Sequence, residues 1–229
     1  MAVDAGVAAM MVLEPGEIPL FQSIEVKHLE ALSQELRMRP FEPGEYLYFE
    51  SQPAESLWIV RSGEVRTLKA TLNGRVTTLE MLRPGGLFGL ASVIPSAAHS
   101  ETAQGVATGE TWSVPRRVLA RLMQEHPEIG HELLGIVSLR LQRAHDRLCS
   151  FAHDGVPARL ARSVLDEAED GRVETTRRAL GEAAGTTVET AIRVLRNFEK
   201  RGWVEGGVGW VRILDEEALE RVASGETAP

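Results

Sequence analysis

Residues 175–201 read TTRRALGEAAGTTVETAIRVLRNFEKR. The spacing predicts a short amphipathic helix over Thr176–Ala184, with Ala179, Leu180 and Ala183 inward. It stops at Gly185, a residue free to take the left-handed conformation that a tight turn needs. Thr186 or Thr187 then caps a second helix, and Glu189 falls in its first turn, where a negative charge is favoured. Ala191, Val194, Leu195 and Phe198 recur at helical spacing and form its buried stripe. Val188, Glu189, Ile192, Arg193 and Arg196 are left on or near the outer face. Taken alone, an exposed Glu and Arg four residues apart is a surface ion pair worth a few tenths of a kcal/mol, roughly. At the start of a second helix after a glycine turn, the same pair suits base edges in a major groove, Arg to guanine and Glu to the cytosine amino group. The expectation is a helix-turn-helix that reads DNA.

The whole chain is acidic, with a formal net charge of −8, which argues against bulk attraction to nucleic acid. The reading stretch differs: six basic residues (Arg177, Arg178, Arg193, Arg196, Lys200, Arg201) stand against three acidic ones (Glu182, Glu189, Glu199). That footprint suits a specific reader. With 229 residues, 43% of them hydrophobic and 25% charged, the chain can build one large or two small cores. No apolar run is long enough to span a bilayer, and the N-terminus lacks the basic start of a signal peptide, so a cytoplasmic location is expected, with no membrane partner. The single cysteine, Cys149, excludes an internal disulfide and a cysteine-based metal cluster; its place in an apolar helical stripe makes it an inert core or interface residue.

Away from the reading stretch the texture alternates. Residues 1–18 look like a flexible tail, and an amphipathic helix follows over Phe21–Leu36, with Ile24 or Leu29, Leu32 and Leu36 inward. From Met38 to Val114 short strand-like runs are punctuated at Pro43-Gly44, Ser62-Gly63, Asn73-Gly74, Pro84-Gly85-Gly86, Gly89 and Gly105, which predicts a barrel, roll or sandwich. Asn73-Gly74 between alternating runs is a strong hairpin signal. A short helix over Pro115–Glu125 ends before Pro127. Over Glu128–Phe151 the residues Leu134, Val137, Leu141, Ala144, Leu148 and Phe151 are spaced 3, 4, 3, 4, 3, a heptad seam suited to a second copy of the chain. Leu133, Ile136 and Leu139 add a second apolar edge that faces the roll. His153–Pro157 reads as a linker, Ala158–Ala168 as a helix, Gly202–Ile213 as a wing hairpin and Asp215–Ala223 as a closing helix.

In this order the motifs resemble the Crp/Fnr family of bacterial transcription regulators. Phe41–Glu45 (FEPGE), Ser62–Val65 (SGEV), Asn73–Arg75 (NGR) and Arg83–Gly89 (RPGGLFG) match the glycine landmarks of a cyclic-nucleotide-binding β-roll, and Gly185–Val204 matches the recognition helix and start of the wing. The resemblance implies an α+β fold: a flexible tail (1–18), an N-terminal cyclic-nucleotide-binding-like β-roll with flanking helices (19–127), a long dimerisation helix (128–152) and a C-terminal winged helix-turn-helix (153–229). It implies a homodimer joined along the long helix, bound to double-stranded DNA at inverted repeats whose half-sites lie about one helical turn (roughly 34 Å) apart. RNA polymerase is then a further partner, and activation the expected outcome. Glu189 and Arg193 occupy the family's E-T-x-x-R positions and are expected to read a TGA-like core, with Val188 and Ile192 beside them. Val188 stands where the cyclic-AMP branch has a second arginine; V-E-T is similar to the Fnr branch, but Ile192 departs from the serine usual there. Thr176, Arg177, Thr187, Thr190 and Arg196 are expected on phosphates, which set register without carrying sequence.

The effector pocket departs from the family. Cyclic-nucleotide binders have F-G-E, whose Glu holds the ribose, and a later Arg-Ser/Thr pair on the phosphate. Here the corresponding residues are Phe88, Gly89, Leu90 and then His99, Ser100. Leucine accepts no hydroxyl proton, and a neutral imidazole does not replace a bidentate guanidinium. Control by cyclic AMP is therefore not expected, nor is any metal or cofactor. An Fnr-type iron–sulfur cluster lacks its cysteines, and His28, His99, His126 and His131 form no ligating pattern for haem. Alternatives are a regulator gated by an unidentified small molecule or haem, a regulatory subunit for a protein partner, and a cupin-like metalloenzyme. A cupin needs a His-x-His pair, and His99 stands alone between Met38 and Trp112.

Overall fold

A computed structural model describes residues 12–22, 24–70 and 76–226. The chain divides into two units, the division falling between Ser138 and Leu139 inside one long helix.

The first unit begins with two 3-10 turns, Pro15–Glu17 and Pro19–Phe21, each opened by a proline whose fixed φ suits the first position. Residues 12–18 were expected in the tail, but they are held. Leu13 and Ile18 are buried, the Leu13 amide donates to Arg61 O at 3.1 Å, and the Arg61 guanidinium pairs with Glu14 at 2.8 Å. The helix expected from Phe21 is shorter: α1 is Val26–Glu35, with Phe21 on the preceding turn and Leu32 inward.

Strands follow: β1 (Arg37–Phe41), β2 (Tyr46–Tyr48), β3 (Ser56–Ala70), β4 (Val76–Leu82), β5 (Leu87–Phe88) and β6 (Thr102–Pro115). The sheet order is β1-β6-β3-β4, with β2 on β6 and β5 on β3. All the pairings of β6 are antiparallel, from Arg37↔Ser113 to Phe41↔Gly109 on one side and from Leu57↔Val114 to Leu68↔Thr102 on the other. Two of the expected turns lie within strands. Ser62-Gly63 is a bulge in β3, where the register shifts on both sides and Gly63 takes φ +74°. Gly105 lies inside β6, against the Phe41 ring and Glu42 O, where a side chain would not fit. The Asn73-Gly74 turn lies outside the described residues.

Two helices close this unit: α2 (Arg116–Glu125), ended by His126 before Pro127, and the first part of α3 (Pro127–His153). One core sits between helices and sheet, with Ile18, Phe21, Leu32, Leu57, Ile59, Val114, Leu119 and Ile129 almost fully buried. A second fills the roll with Phe41, Leu47, Tyr48, Val60, Val65 and Phe88.

In the second unit, α4 is Val156–Glu167 and starts one residue before Pro157, which occupies its first turn. The expected linker is thus reduced to 154–155, since α3 runs through His153. Asp154 accepts from Ser150 Oγ and from the Arg162 guanidinium, both at 2.7 Å; these bonds hold its carboxyl below the usual carboxylate range. After β7 (Arg172–Val173) come α5 (Arg177–Ala183), α6 (Val188–Lys200), β8 (Val204–Gly207), β9 (Trp210–Ile213) and α7 (Glu216–Ala223), the last capped by Asp215. The sheet order is β7-β9-β8, so the wing has a third strand that its two-residue length hid from pattern reading. Leu160, Val164, Leu180, Ala191, Leu195, Phe198 and Leu219 form the core. The fold is α+β, an antiparallel β-roll followed by a winged helix-turn-helix.

Candidate nucleic-acid interface

Local chemistry fixes the geometry of the reading head. Thr176 caps α5, its Oγ1 accepting from the Ala179 amide at 3.1 Å. Leu180 and Gly181 are buried, and so is Ala184; Ala183, expected inward, is exposed because the helix is rotated by one position toward Ala184. Gly185 has φ +60°, as the turn demands, and any Cβ there would run into the Phe151 ring. The Thr186 amide closes the turn on Gly181 O at 2.8 Å. Thr187 is the cap of α6, its Oγ1 accepting from the Thr190 amide at 3.3 Å.

On α6 the stripe of Ala191, Leu195 and Phe198 is buried and Val194 half-buried. The opposite face carries Glu189, Arg193 and Arg196 exposed, with Val188, Thr190 and Ile192 half-exposed. An open groove along this face is lined by Glu189, Ile192, Arg193, Arg196, Asn197 and Lys200. The groove therefore brings together Glu189, Ile192 and Arg193 of the expected base-reading residues, leaves Val188 out of its lining, and adds Asn197 and Lys200. Carrying the same helical period one turn further would have found both. Arg178, also exposed, was missed because it belongs to α5; its positive charge acts on Glu189. The Glu189 carboxylate accepts from its own amide and from the Thr187 hydroxyl, and these bonds, with Arg178, hold it below the usual carboxylate range.

Arg177, expected on phosphate, is placed otherwise. Its Nη1 donates to Gly207 O and its Nη2 to Glu199 Oε1, both at 2.9 Å. Thr187 and Thr190 are joined by a hydroxyl bond of 3.2 Å at the start of α6, and Thr176 is exposed at the start of α5. At the wing tip Val208 is fully exposed.

The heptad residues of α3 form an apolar stripe open to solvent on the single chain. Leu134 is 63% exposed, Val137 44%, Leu141 55%, Leu148 68% and Phe151 49%, and Ala144 is exposed as well. Leu133 and Ile129, by contrast, are buried in the first unit. Leu139, expected on that edge, is exposed. Cys149 is exposed too, so it is no core residue of the chain.

In the roll, Phe88 is buried, Gly89 adopts φ +69° and Leu90 starts a short 3-10 turn, Leu90–Val93, packing on the core. His99 is 5% exposed and stacks on Tyr48, with ring centroids 3.6 Å apart and planes within 8°. Burial pushes its pKa down, against a weaker upward pull from Glu101. Ser100 Oγ donates to Glu101, which also accepts from the Tyr48 hydroxyl at 3.1 Å. The His99–Tyr48 stack and Glu101 carry no sequence signal, because Tyr48 lies far from both along the chain.

Comparison with known proteins agrees with this architecture. Residues 38–126 match the cyclic nucleotide-binding domain and residues 158–222 the Crp-like helix-turn-helix domain. The chain is 28% identical over 214 residues to a CRP-like cAMP-activated global transcriptional regulator of Mycobacterium tuberculosis, covering 89% of this chain and 96% of that protein. It is 25% identical over 225 residues to the transcriptional activator protein anr of Pseudomonas aeruginosa, covering 93% and 91%. In fold it is similar to FixK2 from Bradyrhizobium japonicum, with a TM-score of 0.74 at 22% identity, covering 85% of this chain and 98% of that one. Family membership sets the metalloenzyme alternative aside. With both domains matched in this order on one chain, and relatives aligned over nearly its whole length, the protein belongs to the Crp/Fnr family of transcription regulators and carries that family's DNA-binding helix-turn-helix.

Proposed function

We propose that the chain acts as a homodimeric transcription activator that binds inverted-repeat promoter sites without requiring cyclic AMP. The observation that carries this reading is the single exposed face of α6 on which Glu189, Ile192, Arg193 and Arg196 lie together. Arg193 reads guanine and Glu189 a cytosine amino group, while Val188 and Ile192 present methyl groups at thymine height. Thr176, Thr187, Thr190 and Arg196 take phosphates. The open seam from Leu134 to Phe151 supports dimerisation, since burying one exposed leucine is worth about 1.5–3 kcal/mol. Residues 128–152 then serve as the dimerisation helix, 19–127 as the sensor-like domain and 153–229 as the DNA-binding domain. Two-fold symmetry places two α6 helices on two half-sites. RNA polymerase is the partner recruited, in the cytoplasm.

Independence from cyclic AMP rests on Leu90 and His99. The M. tuberculosis relative is cAMP-activated by name. Here Leu90 offers no acceptor, His99 is buried and kept neutral, and Glu101 puts a negative charge where a cyclic phosphate would need a positive one. A second reading, a regulator gated by a small molecule in the roll, is favoured by Ser92 Oγ and His99 Nδ1, which are buried without a hydrogen-bond partner among the described residues. An effector of this kind must bind the DNA-competent form better than the other.

Selection from random duplexes with the purified protein tests the reading, together with light scattering to fix its mass. Recovery of an inverted repeat with TGA-type half-sites by a dimer is expected. Recovery of no common sequence, or a monomer at working concentrations, would contradict it.

A further inference from the structure

We propose that Arg177 is a positioning residue that fastens the wing to the recognition helix, and that it does not contact phosphate. The proposal rests on the DNA-binding reading above. Arg177 opens α5, Glu199 lies in the last turn of α6, and Gly207 ends β8 immediately before the exposed tip residue Val208. One guanidinium joins all three, through the 2.9 Å bonds to Gly207 O and Glu199 Oε1. Both side chains are about seventy per cent covered, at 28% and 30% exposure, so the pair is better shielded from solvent than a surface contact. The wing backbone is shaped to admit it. A Cβ on Gly206 would stand 2.7 Å from Glu199 Oε1 and 3.0 Å from Arg177 Nη2, and a Cβ on Gly207 would collide with the Trp210 indole.

The chemistry needs arginine. A planar fork presents two parallel N–H groups to a carbonyl and a carboxylate at once, whereas a lysine ammonium is a point charge. With its charge offset by Glu199 and its fork held by Gly207 O and Glu199, Arg177 is a weaker phosphate partner than a free guanidinium, although three of its five N–H groups remain. The clamp instead fixes the angle at which the wing leaves α6, and hence which backbone Val208 and its neighbours meet when α6 is in the groove. The exposed Arg178, next in sequence, is the better phosphate donor of the pair.

The two roles for Arg177 predict opposite signs at Glu199. If Arg177 were a phosphate contact restrained by Glu199, then Glu199→Gln would free a cation, remove a negative charge near DNA and tighten binding. If it is a clamp, Glu199→Gln weakens binding. Fluorescence anisotropy of the full chain on the duplex recovered by selection, at two salt concentrations, separates them. Glu199→Gln, Gly206→Ala and Arg177→Ala are each expected to lose affinity on the order of tenfold. Arg177→Lys should behave like Arg177→Ala, because charge alone does not restore the fork. Tighter binding by Glu199→Gln, or wild-type binding by Arg177→Lys, would overturn the proposal. Hydrogen exchange of the free proteins gives a readout that needs no DNA. Amides of 204–213 should exchange faster in Glu199→Gln and Gly206→Ala than in wild type, and unchanged in Arg178→Ala. Unchanged wing exchange in Glu199→Gln overturns the clamp even if the wild type shows no sequence preference, a result that would count against the DNA reading alone. Should Arg177→Ala fail to fold, the Glu199 and Gly206 variants decide.

Discussion

Arg193 and Arg196 sit three residues apart on one helix face, yet the proposed function gives them different tasks, so they should fail differently when removed. Arg193→Ala takes away a base contact, so it should cost about 1–3 kcal/mol on the recovered operator and relax preference at one base pair. Arg196→Ala takes away a phosphate contact, so specific and scrambled duplexes should weaken alike and the salt slope should fall by about one; titrations at several salt concentrations read both. These residues were legible in the sequence because a helical period and a glycine turn place them without knowledge of the tertiary structure. The internal bonds of Arg177 were not legible for the converse reason: its partners Glu199 and Gly207 lie 22 and 30 positions away, on elements whose packing only the fold reveals. His99 is a similar case, stacked on a tyrosine from another strand. Burial holds its folded pKa below the ordinary value of 6.5. As pH falls through that value the unfolded chain gains a proton that the folded one resists, so stability present above about pH 6.5 declines toward the depressed folded pKa. The drop in Tm on acidification should shrink in His99→Phe, which keeps a ring on Tyr48; an unchanged drop would show that His99 is not its source.

The elements divide by how local their determinants are. The helices follow from apolar spacing and caps, and Thr176, Thr187 and Asp215 each bond the backbone amide three residues on. The strands were legible as a class but not in length. Ser62-Gly63 reads as punctuation, and only the pairing with β6 shows that β3 runs straight through it. The turn glycine is the opposite case, because its role is local. Gly185→Ala must hold a side chain at φ +60° and against the Phe151 ring, and should destabilise the protein by about 1–3 kcal/mol, measured by denaturant titration. In α3 the apolar seam is exposed on the single chain, and the proposed function covers it with a second copy. Leu141→Asp puts a charge at its middle, so it should yield a folded monomer where the wild type is expected to be a dimer. Sedimentation reads the mass and circular dichroism the unchanged helix content.

Taken together, a β-roll, a helix with an open apolar stripe and a reading head make a regulator whose two halves differ in how closely they keep the family's chemistry. The proposed function keeps Glu189 and Arg193 as readers, while in the roll Leu90 stands after Phe88-Gly89 and His99 is stacked on Tyr48. The order of glycine landmarks followed by a long helix and a helix-turn-helix was enough to recognise the architecture, because those landmarks are set by backbone geometry. The filling of the roll was only half legible: the missing acceptor shows in the sequence, the stacked imidazole and the Glu101 carboxylate beside it do not. The proposed function built on these features is a dimer competent for DNA without the nucleotide. The most direct test is fluorescence anisotropy of ligand-free protein on its selected operator and on a scrambled duplex, with and without saturating cyclic AMP. Tight, sequence-specific binding that cyclic AMP leaves unchanged and that Arg193→Ala weakens by about 1–3 kcal/mol is the predicted result. Binding that appears only when cyclic AMP is added would contradict it.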